Sequence, residues 1–410
     1  MNRELPLLSL LTVTPLLAHG LGIRLPDQDP FATARGEAFA ATADRPSAVY
    51  YNPAGITQLE GQNFSAGLYS IYLNSEYTAP SGKKIDTKDS IQPVPQLFYT
   101  YASKDSAVAF GLGAYAPYGL SLEWPGSAPF TTLAREGQIT YATFNPVVAW
   151  RVRDNLSVAG GLTVNYAEAD LRRNVYFFTG GTGGGFLPAR SKFTGDDTDL
   201  GFNAGLLWQP HEKHSFGLSY RSATTMDFNG HATYHSVLPT SRTSAHAEFD
   251  FPQNVIAGWS YRPTPAWNFE FNADWTDWDT LNTVILKQTG LPSVPLPFNW
   301  TSSWFYEWGA TRSFANGYSI SGGYIFSENS VPDKGFNPIV PDSDRHIFSL
   351  GLGFKGERFY WDAAYQFAWG PERTVQGSPV SPYPPPLGET ADGRYRYLSH
   401  ALTFSVGCRF

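Results

Sequence analysis

The end of the chain alternates between apolar and small or polar residues with a period of two. In "SHALTFSVGCRF", residues 399–410, an apolar side chain occupies every second position from Leu402 to Phe410. Because successive side chains of a β-strand point to opposite faces, this pattern predicts a strand with one apolar face and one small, polar face. The same alternation recurs at residues 200–208 and 359–369.

The links between the predicted strands alternate in length. Short links lie at residues 103–106, 153–155, 211–213, 264–266, 315–317 and 356–358. Long links lie at residues 80–90, 117–137, 176–195, 231–244, 285–300, 328–343 and 370–393. Short turns on one side and long loops on the other are typical of outer-membrane barrels, whose strands must close because lipid offers an exposed edge no hydrogen-bond partner. The links delimit about 14 segments, so we predict an all-β fold, a 14-stranded antiparallel transmembrane β-barrel.

Composition supports this prediction and limits the partners. Charged residues make up 16% of the 410 residues, against roughly 25% in soluble proteins, and aromatic residues are equally frequent. A formal net charge of −7 argues against a nucleic-acid partner. The single cysteine, Cys408, permits neither a disulfide nor a thiolate zinc site. We predict no metal, no cofactor, a monomer, and contact with the lipids and lipopolysaccharide of a bacterial outer membrane.

The first sixty residues differ from the rest. Residues 1–20 have a cationic start, an apolar stretch and small residues at the end, which predicts a signal peptide. Residues 21–61 lack strand alternation, and a barrel of 14 strands has a lumen wide enough to hold such a segment. We therefore predict an N-terminal hatch, or plug, at residues 21–61 and the barrel at residues 62–410.

Two rival functions remain open at this stage. A lipase needs a serine activated by a histidine, but Ser399 and His400 are adjacent on one strand and point to opposite faces. We therefore predict no catalytic residues and no enzymatic activity. A general porin would need a charged, constricted lumen without a plug, whereas the small faces of these strands are rich in Gly, Ala, Ser and Asn.

Several stretches resemble the FadL family of outer-membrane transporters of long-chain fatty acids and other hydrophobic compounds. They are "GLGIRLPDQDPFATARGEAFAATADRPSAVYYNPAGI" (20–56), "YAPYGLSLEWPG" (115–126), "GFNAGLLWQPHEKHSFGLSYRS" (201–222), "FPQNVIAGWSYRPTPAWNFEFNADWTDW" (251–278), "DSDRHIFSLGLGF" (342–354) and the closing strand. The resemblance implies passive uptake of a hydrophobic small molecule by extracellular capture and lateral release through a gap in the barrel wall. Fatty acids are the first expectation, and aromatic or aliphatic hydrocarbons are the alternative.

The resemblance also implies where the gap lies. In the family an Asn-Pro-Ala motif of the hatch packs near an inward kink of the third strand, and Asn52, Pro53 and Ala54 match that motif. The expected third strand, "SAVAFGLGAYAPYG", contains residues that weaken strand pairing, namely Gly111, Gly113 and Pro117.

A ligand site is expected at the extracellular end. The long links offer apolar candidates, namely Leu120, Leu122, Trp124, Phe130, Phe177 and Phe178. Arg172 and Arg173 are candidates for binding a carboxylate, and unbroken alternation would point Arg173 into the lumen. The alternative role of these arginines is to bind lipopolysaccharide phosphate at the membrane interface. No lysine occurs between Lys287 and Lys334, where a second basic ligand group of the family is expected, so fatty acid specificity stays open.

Overall fold

A computed structural model describes residues 22–180, 184–236, 240–384, 387 and 389–410. The predicted signal peptide lies outside the described residues. Residues 22–60, here called the N-terminal segment, contain α1 (Pro30–Ala34), α2 (Ala48–Tyr51) and a 3-10 helix (Pro53–Gln58). Asp29 caps α1, because its carboxylate accepts from the backbone N–H groups of Phe31 and Ala32. Among the described residues, no helix has the length and apolar character to cross a membrane.

The rest of the described chain consists almost entirely of strands. They are β1 (Gly61–Thr78), β2 (Lys84–Asp86), β3 (Ile91–Ala102), β4 (Val108–Tyr115), β5 (Gly119–Glu123), β6 (Glu136–Arg153), β7 (Leu156–Phe178), β8 (Phe186–His211), β9 (His214–Arg221), β10 (Thr224–Ser236), β11 (Ser241–Phe251), β12 (Asn254–Thr264), β13 (Trp267–Thr276), β14 (Thr283–Gln288), β15 (Leu291–Pro297), β16 (Ser303–Ser313), β17 (Tyr318–Ser327), β18 (Arg345–Lys355), β19 (Phe359–Val375) and β20 (Gly393–Arg409). Two short 3-10 helices lie in loops, at Trp278–Thr280 and Asp333–Gly335.

These segments form a closed barrel. The first strand, β1, pairs antiparallel with β3 on one side and with the last strand, β20, on the other. Strand β2 pairs only with the end of β1 and is not counted as a separate strand of the barrel. Five barrel strands consist of two consecutive segments each, namely β4 with β5, β9 with β10, β11 with β12, β13 with β14, and β15 with β16. The structure therefore confirms the predicted 14-stranded antiparallel β-barrel.

The alternation of the sequence becomes the difference between the two faces of the wall. In β20, Leu402 is 65% exposed on the outside, whereas its neighbour Thr403 is 4% exposed and faces the lumen. Near the short-turn end, tryptophans such as Trp150 and Trp208 lie on the outer surface. An outer apolar face bounded by aromatic residues is the surface that lipid requires, and a small-residue inner face leaves space in the lumen.

The two ends of the barrel differ in the length of their connections. Turns such as residues 315–317 are short, and Gly317 there has a φ of +87°, which glycine adopts without strain. Since short turns face the periplasm in such barrels, we expect an epitope tag inserted at residues 289–290 to be labelled by antibody on intact cells. A tag at residues 315–316 should be labelled only after the cells are opened. Labelling of both on intact cells would contradict this orientation.

The N-terminal segment lies inside the barrel and is fastened to the wall by buried ion pairs. Arg24 contacts Asp274 at 2.6 Å, and Arg45 contacts Asp362 at 2.8 Å. Arg35 lies 3.4 Å from Glu270, whose carboxylate also accepts a 2.7 Å hydrogen bond from the N–H of Ala41. Glycines facing the lumen let its backbone approach closely. At Gly323, for example, a Cβ atom would collide with the backbone of Gly36.

Candidate functional site

A mainly apolar cavity lies inside the extracellular half of the barrel. Its lining comes from β5 to β8, β10, β11, β14 and β15, with Ile23 of the N-terminal segment, and includes the charged residues Glu136, Arg172 and Arg173. The main apolar side chains around it are Leu120, Ile139, Phe193, Phe228, Phe249, Leu286, Phe298, Trp300 and Ile339. A cavity lined mainly by apolar side chains suits a hydrophobic molecule.

Arg173 supplies a positive charge at this cavity. The register of β7 with β8 is unbroken from Leu156 to Phe178, so Arg173 is on the same inward face as the buried Ala167 and Ala169. Among the described residues, no carboxylate forms an ion pair with Arg173 and no hydrogen bond to its guanidinium is present. A guanidinium in apolar surroundings without an internal anion is favourable for a ligand that brings a carboxylate.

Arg172 occupies the opposite face and is already paired. Its guanidinium lies 2.8 Å from Glu136 and 3.0 Å from Asp170. Glu136 is paired directly with Arg172 across the β6–β7 ladder, and Asp170 lies two residues before Arg172 on the same face of β7. The two adjacent arginines therefore differ in their surroundings: of the two, Arg173 is on the inward face and has no carboxylate partner among the described residues.

The other apolar candidates from the long links separate into three groups. Leu120 lines the cavity. Leu122, Trp124 and Phe130 are buried in the packing beside it, where Trp124 donates a 2.7 Å hydrogen bond to the carbonyl of Pro338. At the outer end of β7, Phe177 packs on Tyr234, while Phe178 is 63% exposed and contacts Phe186.

Sequence reasoning missed most of the aromatic lining. Phe193, Phe228 and Phe249 are on strands whose inward face is apolar near the extracellular end, although it is small and polar lower down. The sequence of β11 did indicate an apolar inward face, because every second residue there is apolar and buried, namely Ala245, Ala247, Phe249 and Phe251. Ile339 and Trp300 lie in loops, where no periodicity indicates which side chain turns inward.

The Asn-Pro-Ala motif connects the N-terminal segment to one strand of the barrel wall. The side-chain amide of Asn52 donates to the carbonyls of Ala40 at 2.7 Å and Leu206 at 2.9 Å, and its oxygen accepts from the N–H of Ala54. Pro53 is the first residue of the 3-10 helix, where its fixed φ and missing N–H are tolerated. The contact with Leu206 places the motif against β8, the sixth barrel strand.

Gly111 and Gly113 lie in a regular part of the third barrel strand. Both are paired with β3 on one side and with β6 on the other, so neither interrupts the sheet. Their missing side chains instead make room for the N-terminal segment. A Cβ atom on Gly111 would lie 2.7 Å from Val49, and one on Gly113 would lie 3.0 Å from the same side chain.

The third barrel strand is interrupted two residues beyond Ala114, at residues 116–118, which include Pro117. Here β4 ends, and the following β5 pairs with β6 but not with β3. Over residues 91–96, the described pairings of β3 are with β1 alone. This stretch contains Pro93 and Pro95, which lack an N–H group, as is typical of strand edges.

The N-terminal segment fills this interruption with backbone hydrogen bonds. Leu25 donates to the carbonyl of Pro117 at 2.8 Å, and Gly119 donates to that of Ile23 at 2.7 Å. These bonds flank an antiparallel bridge between Arg24 and Tyr118. On the β3 side, the contact comes from a side chain: the amide of Gln96 donates to the carbonyl of Asp27 at 2.8 Å. A short piece of the N-terminal segment thus takes the place of a missing length of wall.

The cavity and the interruption of the third barrel strand are formed by the same two segments, residues 23–25 and residues 117–120. Ile23 and Leu120 line the cavity, and residues 25 and 117, only a few positions away, meet at the interruption. Tyr118 lies between the two regions and donates a 2.8 Å hydrogen bond to the carbonyl of Pro252 on another part of the wall. Movement of residues 23–25 would therefore change the lining of the cavity and, at the same time, the contacts that close the interruption in the wall.

Comparisons with known proteins agree with this architecture. The model of the family described as "Outer membrane protein transport protein (OMPP1/FadL/TodX)" matches residues 15–410. The long-chain fatty acid transport protein of Escherichia coli (strain K12) is 24% identical over 364 residues, which cover 77% of this chain and 79% of the relative. The 47 kDa outer membrane protein of Pasteurella multocida is 25% identical over 349 residues, with the same coverage.

Solved structures show the same fold. A Pseudomonas aeruginosa FadL homologue superposes with a TM-score of 0.84 at 19% identity and covers 95% of this chain and 100% of its own. The Pseudomonas putida toluene transporter TodX superposes with a TM-score of 0.77 at 14% identity, covering 93% and 98%. With the family model matching nearly the whole chain, this chain belongs to the OMPP1/FadL/TodX family and is an outer-membrane transport protein rather than an enzyme.

Proposed function

We propose that this transporter takes up hydrophobic molecules that carry an anionic head group, with long-chain fatty acids as the first candidates. The observation that carries the proposal is Arg173, which has no carboxylate partner among the described residues, at a cavity lined mainly by apolar side chains. A fatty acid would place its alkyl chain among the phenylalanines and its carboxylate at the guanidinium. The carboxylate needs such a partner, since an ionised group loses its hydration when it leaves water.

We also propose that the N-terminal segment acts as a hatch and that the substrate leaves sideways through the interrupted wall. A water-filled exit would expose the alkyl chain at a cost of roughly 0.8 kcal/mol per methylene group. Lateral release into lipid avoids most of this cost. The backbone contacts of residues 23–25 with residues 117–119 support the proposal, because their separation would connect the cavity with the gap beside β3.

Uncharged hydrocarbons are the second candidate. Apart from the groups around Arg173, the cavity is lined almost entirely by apolar side chains, and solved structures with this fold include toluene transporters. A hydrocarbon would leave the charge of Arg173 without a partner, which makes this candidate weaker. Mass spectrometry of the lipids and small molecules that copurify with the protein would distinguish fatty acids from hydrocarbons.

The adjacent arginines provide a matched test of the head-group site. Arg173→Ala should weaken binding of a long-chain fatty acid by about 1.5 to 3 kcal/mol, which corresponds to roughly 10- to 150-fold, because a charged hydrogen bond is lost. Arg172→Ala, which removes an outward and already paired charge, should leave this affinity nearly unchanged. Binding is measured with the purified protein by isothermal titration calorimetry.

The fatty alcohol of the same length is the control ligand for this test. Its binding should be nearly the same in the natural protein and in Arg173→Ala, because the alcohol presents no carboxylate to the guanidinium. If Arg173→Ala weakened both ligands equally, Arg173 would shape the cavity without pairing with a head group, and hydrocarbons would become the favoured substrates.

A further inference from the structure

A second charged site lies on the outer surface of the barrel, behind the wall that carries Arg173. It is a polar cleft at the extracellular ends of β6, β7, β8 and β10. We call it the outer basic cleft. It contains the cations Arg135, Arg172, Arg190 and Lys192 with the carboxylates Glu123 and Glu136, and it adjoins the apolar cavity, since Arg173 is part of both linings. The transport route proposed above uses only Arg173 of these residues.

Strand register shows that the cleft belongs to the lipid-facing side. Leu162, Tyr166 and Arg172 share one face of β7, and Leu162 and Tyr166 are 50% and 42% exposed on the outer surface. Lys192 is paired directly with Arg172 and occupies the same face of β8. Arg172 lies six residues beyond Tyr166, or about 20 Å along the strand. The cleft therefore lies beyond the apolar band, on the extracellular side of the lipid-facing surface.

The charges of the cleft are only partly compensated by the protein. Arg172 pairs with Glu136 at 2.8 Å and with Asp170 at 3.0 Å, while Lys192 has only Asp170, at 2.9 Å, and shares it with Arg172. In the part of the chain that the structure describes, the guanidinium groups of Arg135 and Arg190 have neither an ion pair nor a hydrogen bond. This local excess of positive charge stands out in a chain whose formal net charge is −7.

We propose that the outer basic cleft binds the phosphate groups of a glycolipid in the outer leaflet, that is, of lipopolysaccharide. Two guanidinium groups without internal partners, beside a lysine that shares its only carboxylate, match the charge and hydrogen-bonding capacity of phosphate. The position favours a membrane glycolipid over free phosphate, because the lipid-facing surface of the same strands would hold its acyl chains. Bound glycolipid would neutralise the cluster and fix this wall in the outer leaflet.

The test neutralises Arg135 and Arg190, which have no carboxylate partner among the described residues, together with Lys192, and measures glycolipid binding. Arg135→Gln/Arg190→Gln/Lys192→Gln should bind purified lipopolysaccharide at least roughly tenfold more weakly than the natural protein, because three cations near the phosphates are lost. The matched control, Lys287→Gln/Arg394→Gln/Arg396→Gln, removes three exposed cations from the extracellular ends of other strands and should bind normally. Heat-modifiable gel mobility verifies that both variants are folded.

Two further probes identify the ligand chemistry. Dephosphorylated lipopolysaccharide should bind the natural protein as weakly as intact lipopolysaccharide binds the triple variant, and inorganic phosphate alone should bind far more weakly than the glycolipid. Equal affinity for the intact and dephosphorylated forms, or equal loss in the cleft and control variants, would overturn the proposal. Inorganic phosphate binding as tightly as the glycolipid would also overturn it, since the site would then be one for free phosphate.

Discussion

A disulfide between positions 24 and 118 should stop substrate uptake, and reducing it should restore uptake in the same cells. Arg24 and Tyr118 form an antiparallel bridge flanked by hydrogen bonds of their neighbours, so their Cα atoms are expected about 4.5 Å apart, within the range that a disulfide spans. In a Cys408→Ser background, oxidised Arg24→Cys/Tyr118→Cys should take up labelled fatty acid roughly tenfold more slowly or worse, because the filled wall can no longer open.

The control for this experiment is a cross-link elsewhere in the same segment. Val49→Cys/Gly113→Cys joins the N-terminal segment to the regular part of β4, where the side chain of Val49 already contacts the wall. It leaves residues 22–28 free to move and should permit uptake after oxidation. If the oxidised 24–118 variant transported at its reduced rate, the interrupted wall would not be the exit.

Removal of the Glu270 carboxylate should release the N-terminal segment from the lumen. Arg35 is fully buried, and Glu270 is its ion-pair partner as well as the acceptor for Ala41 and Thr42. Glu270→Ala leaves a buried charge unpaired, which costs about 3 to 5 kcal/mol. Since each 1.4 kcal/mol is a factor of ten, the detached state should become roughly 100- to 4,000-fold more populated. Salt conductance through planar bilayers should rise accordingly.

Two companion variants separate charge from packing in this experiment. Arg35→Met/Glu270→Gln removes both charges and keeps an acceptor for Ala41, so it should conduct nearly as little as the natural protein. Glu357→Ala removes an exposed carboxylate from a short turn and should have no effect. Unchanged conductance in Glu270→Ala would show that the remaining contacts hold the segment. A general porin would conduct equally in all of these proteins.

The barrel could be predicted from the sequence because its rules are local. A lipid-facing strand needs an apolar side chain at every second position, and β20 shows this alternation from Leu402 to Cys408. The lengths of the links then indicate the side of the membrane and the number of strands. The divergent surroundings of Arg172 and Arg173 follow from the same period of two, because the β7–β8 register has no bulge between Leu156 and Phe178.

The residues of the candidate site could not be predicted in the same way, because they are brought together by contacts between distant parts of the chain. Trp124 and Phe130 are as apolar as the residues that line the cavity, yet they pack on each other beside it. Their segment has no regular period, so the direction of each side chain depends on the residues packed around it. Gly111 and Gly113 suggested a bend by their residue type, but they accommodate Val49 in a regularly paired strand. The sequence by itself thus determined the strands, their faces and their closure, since backbone hydrogen bonding in lipid permits few alternatives. Only the tertiary structure decided which side chains line the cavity and which piece of chain fills the interrupted wall, because those contacts join residues that are far apart in the sequence and obey no local period.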